Sequence, residues 1–285
     1  MTVALVTGCS TGIGYATALR LARDGHHVVA TMRDPSACDL AAVAAADGSS
    51  LEVRALDVND GEGVDALMGD LLAAHGGVEV LVNNAGLGSG GDVIENTPFD
   101  VFREVMETNY FGALRCMKAV LPSMRERGSG CVVNVTSQAG RIVGPGMAPY
   151  CASKFALEAA TESLALEIEP FGVRVALIEP GAIMTAIWGK IDLTPPTGVY
   201  APTRTRLSKF VMADLAQASS ADEVADCISE AISTSEPRLR WLVGQGAERN
   251  VELRAGMTDE EYIAVWNQVD DDAFISQMLG SEHPG

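Results

Sequence analysis

Three residues near the middle of the chain have types and spacing that suit proton transfer: Ser137, Tyr150 at a predicted helix start, and Lys154 one helical turn further on. Positions i and i+4 of a helix share one face, so the Lys154 ammonium can lie close to the Tyr150 hydroxyl. A free tyrosine loses its proton near pH 10, and each unit of depression needs about 1.36 kcal/mol of preferential phenolate stabilisation. A fixed cation has the right sign to supply it. A Tyr-x-x-x-Lys spacing alone recurs by chance, and the rest of the chain gives it meaning.

Near the start, an apolar strand runs into Thr7-Gly8-Cys9-Ser10-Thr11-Gly12-Ile13-Gly14 and then into an amphipathic helix. Glycines at 8, 12 and 14 let backbone approach a pyrophosphate, whose charge the helix N-terminus and free amides stabilise. Gly8, Ser10, Thr11, Gly12, Ile13 and Gly14 are therefore assigned to a dinucleotide, against the plainer reading of a tight strand-to-helix turn. The second strand ends Thr31-Met32-Arg33, where an acidic residue would bind the ribose 2′-hydroxyl of NAD and repel the 2′-phosphate of NADP. With Met32 there and Arg33 beside it as a phosphate partner, the expected cofactor is NADP(H); Asp34 leaves open a merely solvated loop charge. Asp57, with the Val58 amide, is placed to hold adenine, or else to cap the next helix. Asn83-Asn84-Ala85-Gly86 can brace the sheet edge, with Asn83, Ala85 and Gly86 beside the cofactor.

Positioning these groups requires a sheet whose strand ends meet along one edge. Short β-branched runs near 2–6, 27–31, 51–55, 79–82, 130–136, 173–179 and 239–243 alternate with helical patterns near 12–24, 62–74, 99–126, 149–169 and 221–233. That rhythm predicts an α/β protein: one Rossmann-type domain over 1–285, a doubly wound parallel sheet of about seven strands with helices on both faces. Residues 184–218, rich in Thr, Pro and mixed charge, read as a substrate lid, with Trp188 either covering the substrate or packing the lid down. From 245 to 285 an acidic extension follows, its helical middle expected against the body and its last residues frayed.

In this combination the chain resembles the short-chain dehydrogenase/reductase family over about residues 2–245, through the glycine turn, Asn83-Asn84-Ala85-Gly86, Ser137, Tyr150, Lys154 and Pro180-Gly181. The resemblance implies that Ser137 orients a carbonyl, Tyr150 transfers the proton, and Lys154 binds the nicotinamide ribose while lowering the tyrosine pKa, aided by the positive oxidised nicotinamide. It implies that Asn109 holds a water for a proton relay, and that Pro180, Gly181 and Thr185 contact the nicotinamide and pyrophosphate. The Gly8-Cys9-Ser10 and Thr31-Met32-Arg33-Asp34 segments are similar to those of NADP-using 17-beta-hydroxysteroid and retinol dehydrogenases, which favours a lipophilic alcohol or carbonyl substrate over other small molecules. Long apolar helices near 99–126 and 149–169 resemble those through which relatives form homodimers or homotetramers.

Composition narrows the alternatives. A formal charge of −18 repels nucleic acid and anionic membranes, and no apolar run approaches a membrane span. The N-terminus enters a strand without a signal-peptide pattern, and six scattered cysteines read as free thiols, so a cytoplasmic protein is expected. No ligand cluster converges by spacing on His26 and His27, so no metal is expected; Cys151 reads as a core or interface thiol rather than a nucleophile. The competing readings are a nucleotide sensor that has lost turnover and a sugar-nucleotide epimerase on a related fold. Retention of both Tyr150 and Lys154 counts against the first, and chain length against the second.

Overall fold

The computed structural model describes residues 2–88, 92–186, 198–268 and 270–279. The apolar runs become β1 (Val3–Thr7), β2 (His27–Met32), β3 (Leu51–Ala55), β4 (Val80–Asn83), β5 (Gly130–Val135), β6 (Val173–Pro180) and β7 (Arg240–Val243). They pair in the order β3-β2-β1-β4-β5-β6-β7, every pair parallel. The chain winds outward from β1 through β2 to β3, then returns to β4 on the other side. The order thus reverses between β1 and β4, which opens a crevice at their carboxyl ends.

The helices are α1 (Gly12–Arg23), α2 (Leu40–Ala46), α3 (Gly61–His75), α4 (Phe99–Met106), α5 (Ala113–Arg127), α6 (Ala148–Ile168), α7 (Ala201–Leu215), α8 (Ala221–Ser233), α9 (Ala247–Ala255), α10 (Asp259–Trp266) and α11 (Asp271–Leu279). Because successive strand side chains point to opposite faces, β1 feeds two cores. Ala4 and Val6 pack with Leu21 of α1, Leu40 of α2 and Ile228 of α8, while Val3 and Leu5 pack with Leu71 of α3, Val120 of α5 and Leu157 of α6. The sheet is therefore covered on both faces, as the alternation of runs predicts.

The pattern near 99–126, read as one helix, is interrupted. Between α4 and α5 the backbone makes a π-helical turn over Glu107–Gly112. One extra residue per turn is tolerated because Gly112 lies against Val58, where a Cβ would come within 2.6 Å of the valine side chain. Two helices escaped the sequence reading. The short α2 is nearly all alanine and valine, and α7, within the proposed lid segment, buries only Arg206, Leu207 and Asp214, so it has no continuous apolar stripe. Residues 187–197 of that segment, Trp188 included, lie outside the described residues.

The acidic extension forms α9, α10 and α11. Tyr262 and Val265 of α10 and Phe274 and Met278 of α11 make a third apolar cluster with Phe210 of α7. Arg206, buried on α7, donates to Asp271 at 2.9 Å, and the Tyr262 hydroxyl donates to the Val143 carbonyl at 2.6 Å. The extension is thereby fastened to the loop that joins Ser137 to Tyr150.

Candidate active site

Six segments singled out by the sequence reading lie at the carboxyl end of a strand. The glycine turn follows β1, Arg33 follows β2, Asp57 follows β3, Asn83 closes β4, Ser137 follows β5 and Pro180 closes β6. The turn after β1 is built for close approach. Gly8 has φ +73°, and a Cβ there would stand 2.7 Å from the Ala85 backbone; one at Gly14 would collide with the Asn84 amide. Asn84 locks the two loops together, its amide donating to the carbonyls of Thr7 (2.9 Å) and Gly8 (3.1 Å), while Thr7 Oγ1 accepts from the Asn84 and Ala85 backbones at 3.0 Å. Thr11 caps α1 without a side-chain hydrogen bond, so the first amides of the helix face outward, with Ser10 exposed beside them and Ile13 half-buried. Thr185, far along the chain, packs on Gly12, where an added Cβ would meet it at 3.3 Å.

At the end of β2 the structure corrects one detail and sharpens another. Met32 is buried in the core rather than facing a ribose, so the outward-pointing residue there is Arg33. Arg33 is exposed, and no other described residue hydrogen-bonds or pairs with it. Asp34, which could have neutralised it, is committed to the Ser36 amide at 2.9 Å and the Ser36 hydroxyl at 2.6 Å. Asp57 does not cap α3, whose N-cap is Asp60; it accepts from the Asn59 amide at 3.0 Å and keeps an exposed carboxylate, with Val58 buried under it.

Asn83 and Asn109 lie deeper than the sequence reading placed them. Asn83 is buried and donates to Asn134 Oδ1 at 2.8 Å, and Asn134 donates in turn to Thr161 at 2.8 Å, a polar chain running under the sheet edge. Asn109 sits in the π turn next to Gly86, its Oδ1 accepting from Leu87 N (2.7 Å) and its Nδ2 donating to Leu87 O and Ser153 Oγ (both 2.9 Å). Its side chain is thus spent on tying the Gly86–Leu87 loop to α6.

Ser137 Oγ accepts from the Ala139 amide at 3.1 Å and donates to the Pro180 carbonyl at 3.4 Å, which fixes the hydroxyl beside β6. The next residue, Gly181, donates to Val243 at 2.9 Å and is pressed so closely on Gln245 and Ala247 that no side chain fits. Lys154 is 5% exposed, its Nζ donating to the Val135 carbonyl at 2.9 Å and lying 5.7 Å from the centre of the Tyr150 ring. The i, i+4 pair therefore shares one face of α6, as its spacing implies. The electrostatic outcome differs from the sequence argument. Burial pushes the Tyr150 hydroxyl up to about 12, Ser137 pulls it back in part, and neighbouring Cys151 adds a small upward push. Burial also pushes Lys154 down to about 8, opposed by the Glu158 carboxylate. Desolvation of both groups outweighs the pairing that spacing suggests, so the protein's own groups hold the phenol protonated.

Sequence reasoning missed the ionic cluster under Lys154. One more turn along α6, Glu158 is paired with Arg240 of β7, which also donates to Glu179 of β6 at 3.0 Å and to Glu162 at 2.8 Å; Arg141 reaches Glu179 at 3.3 Å. The i+4 step from Lys154 to Glu158 was a visible signal, whereas Glu179 lies inside an apolar strand and Arg240 on an edge strand. Cys151 is buried and its thiol pushed up to about 11, as a core thiol would be.

The short chain dehydrogenase family pattern matches residues 2–195. The chain belongs to this family. An uncharacterized oxidoreductase, YusZ, of Bacillus subtilis is 35% identical over 262 residues, covering 89% of this short-chain dehydrogenase and 92% of the relative. Human 17-beta-hydroxysteroid dehydrogenase type 1 is 40% identical over 259 residues, covering 85% and 77%. A short-chain dehydrogenase from Streptomyces avermitilis has a similar structure, with TM-score 0.79 and 36% identity over 93% of this chain and 98% of that one. Two further similar structures hold different cofactors. An alcohol dehydrogenase from Thermococcus sibiricus is complexed with 5-hydroxy-NADP (TM-score 0.71, 27% identity, 86% and 96% covered), and an enzyme from Burkholderia phymatum is complexed with NAD (TM-score 0.76, 27% identity, 94% and 96% covered). The dehydrogenase is thus an oxidoreductase of a family that takes nicotinamide cofactors and acts on small molecules. Among the described residues, no helix is long and apolar enough to cross a membrane.

Proposed function

We propose that this dehydrogenase uses NADP(H) and interconverts a lipophilic secondary alcohol with its ketone, or a primary alcohol with its aldehyde. The observation that carries the reading is the meeting of the Ser137 hydroxyl, the half-buried Tyr150 phenol and the Lys154 ammonium at the carboxyl edge of the sheet, across from the open glycine turn. The turn fits a dinucleotide because a Cβ at Gly8 or Gly14 is excluded and the α1 amides are uncapped. Gly8, Ser10, Thr11, Gly12, Ile13 and Gly14 would hold the pyrophosphate, Asp57 and Val58 the adenine, and Ala85 and Gly86 the central span, with Asn83 bracing that edge from within. Lys154 would hold the nicotinamide ribose together with Tyr150, and Pro180, Gly181 and Thr185 would border the carboxamide. When bound, NADP(H) supplies or accepts the hydride.

The chain's own residues manage the proton. In the reduction direction, negative charge builds on the carbonyl oxygen; Ser137 polarises it and Tyr150, held protonated by burial, donates. Lys154 steadies the charge that then develops on the phenolic oxygen, and the Asn109 carbonyl in the π turn holds the water that returns a proton. The preference for NADP(H) rests on the exposed Arg33, with which no described residue pairs, and the lipophilic substrate on likeness to a hydroxysteroid dehydrogenase. Six free cysteines suit a reducing cytoplasm.

The test is turnover by Tyr150→Phe with NADPH and a panel of ketones and aldehydes. The variant should lose about 10²–10⁴-fold in kcat and in kcat/KM together while binding NADPH as before. Near wild-type reduction by Tyr150→Phe would overturn the mechanism and favour another chemistry, whereas NADPH binding without turnover by wild type would favour a sensor.

A further inference from the structure

On the opposite edge of the sheet from the active site, folding brings together three groups that sequence spacing kept apart. His27 opens β2, Glu52 is the second residue of the edge strand β3, and His75 is the last residue of α3. One ligand atom from each, two imidazole nitrogens and a carboxylate oxygen, all lie within 4.8 Å of one another. The expectation of no ligand cluster around His27 is corrected here, because the partners come from elements that only the parallel pairing of β2 with β3 and the return of α3 make adjacent.

From this geometry we infer that His27, Glu52 and His75 form a binding site for a divalent transition-metal ion, zinc in the first place, with water as the fourth ligand. Two imidazoles and one carboxylate are a donor set that suits zinc, whose bonds to nitrogen and oxygen of about 2.0–2.2 Å put tetrahedral ligand atoms roughly 3.4 Å apart. His27 Nε2 and Glu52 Oε2 are already 3.8 Å apart, so a small side-chain adjustment closes the set. His27 Nε2 is buried, and no described residue hydrogen-bonds to it, an arrangement that costs stability unless that nitrogen gains a partner. The His27 and His75 ring centres are 4.5 Å apart, with their planes inclined by 42°.

The charges around the site also fit. Glu52 uses its other oxygen, Oε1, to accept from Arg54 at 2.7 Å, and Arg54 is shared with Asp70 at 2.8 Å. That pairing fixes the carboxylate's orientation while leaving Oε2 for a metal, and the two carboxylates with one guanidinium leave a net negative charge. The carbonyl end of α3, where His75 sits before the left-handed Gly76, adds the negative end of a helix dipole. His75 is exposed and borders a shallow depression lined by Glu52, Arg54, Asp70, Leu71 and Ala74, which gives an ion a path from solvent. A metal here would clip the edge strand to α3 without touching the nicotinamide crevice.

The experiment uses the untagged full chain, stripped with a chelator and titrated with zinc sulfate by calorimetry, with His75→Ala and Glu52→Gln in parallel. The expected result is one zinc per chain at micromolar affinity or tighter, a thermal midpoint that rises with zinc, and at least a tenfold loss of affinity in each variant. Cobalt chloride should give the visible absorption of a four-coordinate nitrogen and oxygen site in wild type and lose it in both variants. Metal-free melting curves and NADPH titrations of the variants should match wild type, which separates loss of the site from loss of the fold. No saturable zinc binding in wild type, or undiminished binding in the two variants, would overturn the assignment.

Discussion

At the residue scale the decisive effect is desolvation. A surface tyrosine one turn from a lysine would be expected to titrate below 10, yet burial carries Tyr150 up to about 12 and Lys154 down to about 8. The signs lead to a pH prediction. Reduction needs neutral Tyr150 and charged Lys154; the first holds below about 12 and the second only below about 8, so kcat/KM for ketone reduction should be flat near neutrality and fall as pH rises through about 8. A pH–rate profile of wild type with NADPH checks this, and an activity that climbs steadily from pH 7 to 10 contradicts it. Arg33 supports a second prediction. Since Asp34 is committed to Ser36, the guanidinium is free for a 2′-phosphate, and Arg33→Ala should weaken NADPH about tenfold, near 1.4 kcal/mol, while leaving NADH unchanged. Parallel fluorescence titrations decide, and equal loss for both cofactors would remove Arg33 from the phosphate.

At the element scale, two features carry the site. The π turn over Glu107–Gly112 turns Asn109 inward to Leu87 and Ser153, a contact that a regular helix of the same sequence would aim elsewhere. The periodicity of apolar residues was legible there, but the extra residue per turn was not, because it depends on Gly112 meeting Val58 from another element. The acidic extension is the other feature. Phe274 is fully buried against Phe210 and Trp266, with ring centres 6.1 and 4.8 Å away. Phe274→Ala should cost about 3–5 kcal/mol of packing, loosen α10 from Val143 and raise KM for the carbonyl substrate more than it lowers kcat. Calorimetric melting with steady-state kinetics tests both halves, and an unchanged KM would show that α10 and α11 do not shape the substrate side.

For the whole molecule, convergence of six strand ends on one edge converts scattered motifs into a site. The same architecture leaves apolar surface elsewhere. Phe111 in the π turn and Phe155 and Leu166 on α6 stay exposed, the last by 79%, on elements that already pack against each other. We propose that these side chains seat a second copy, and light scattering of the purified chain should report a homodimer or homotetramer. Replacing Phe155 and Leu166 by Glu together should give a monomer with its NADPH binding retained. A wild-type monomer at micromolar concentration would refute the interface.

What the sequence determined by itself is local or periodic: the seven β-branched runs, the glycine turn opening α1, the absence of an acid at Met32-Arg33, and the Tyr150 to Lys154 turn. These are encoded in spacings of a few residues, where backbone geometry alone dictates which side chains share a face. Only the tertiary structure decided that Thr185 lies on Gly12, that Arg240 and Arg141 reach the buried carboxylates of Glu158 and Glu179 in one ionic cluster, and that Tyr262 reaches Val143. It also set the sign of the tyrosine shift and placed His75 beside His27 and Glu52. Each of these depends on atoms brought from remote parts of the chain, and both desolvation and contact are sums over whatever lies nearby in space, which no spacing along the sequence records.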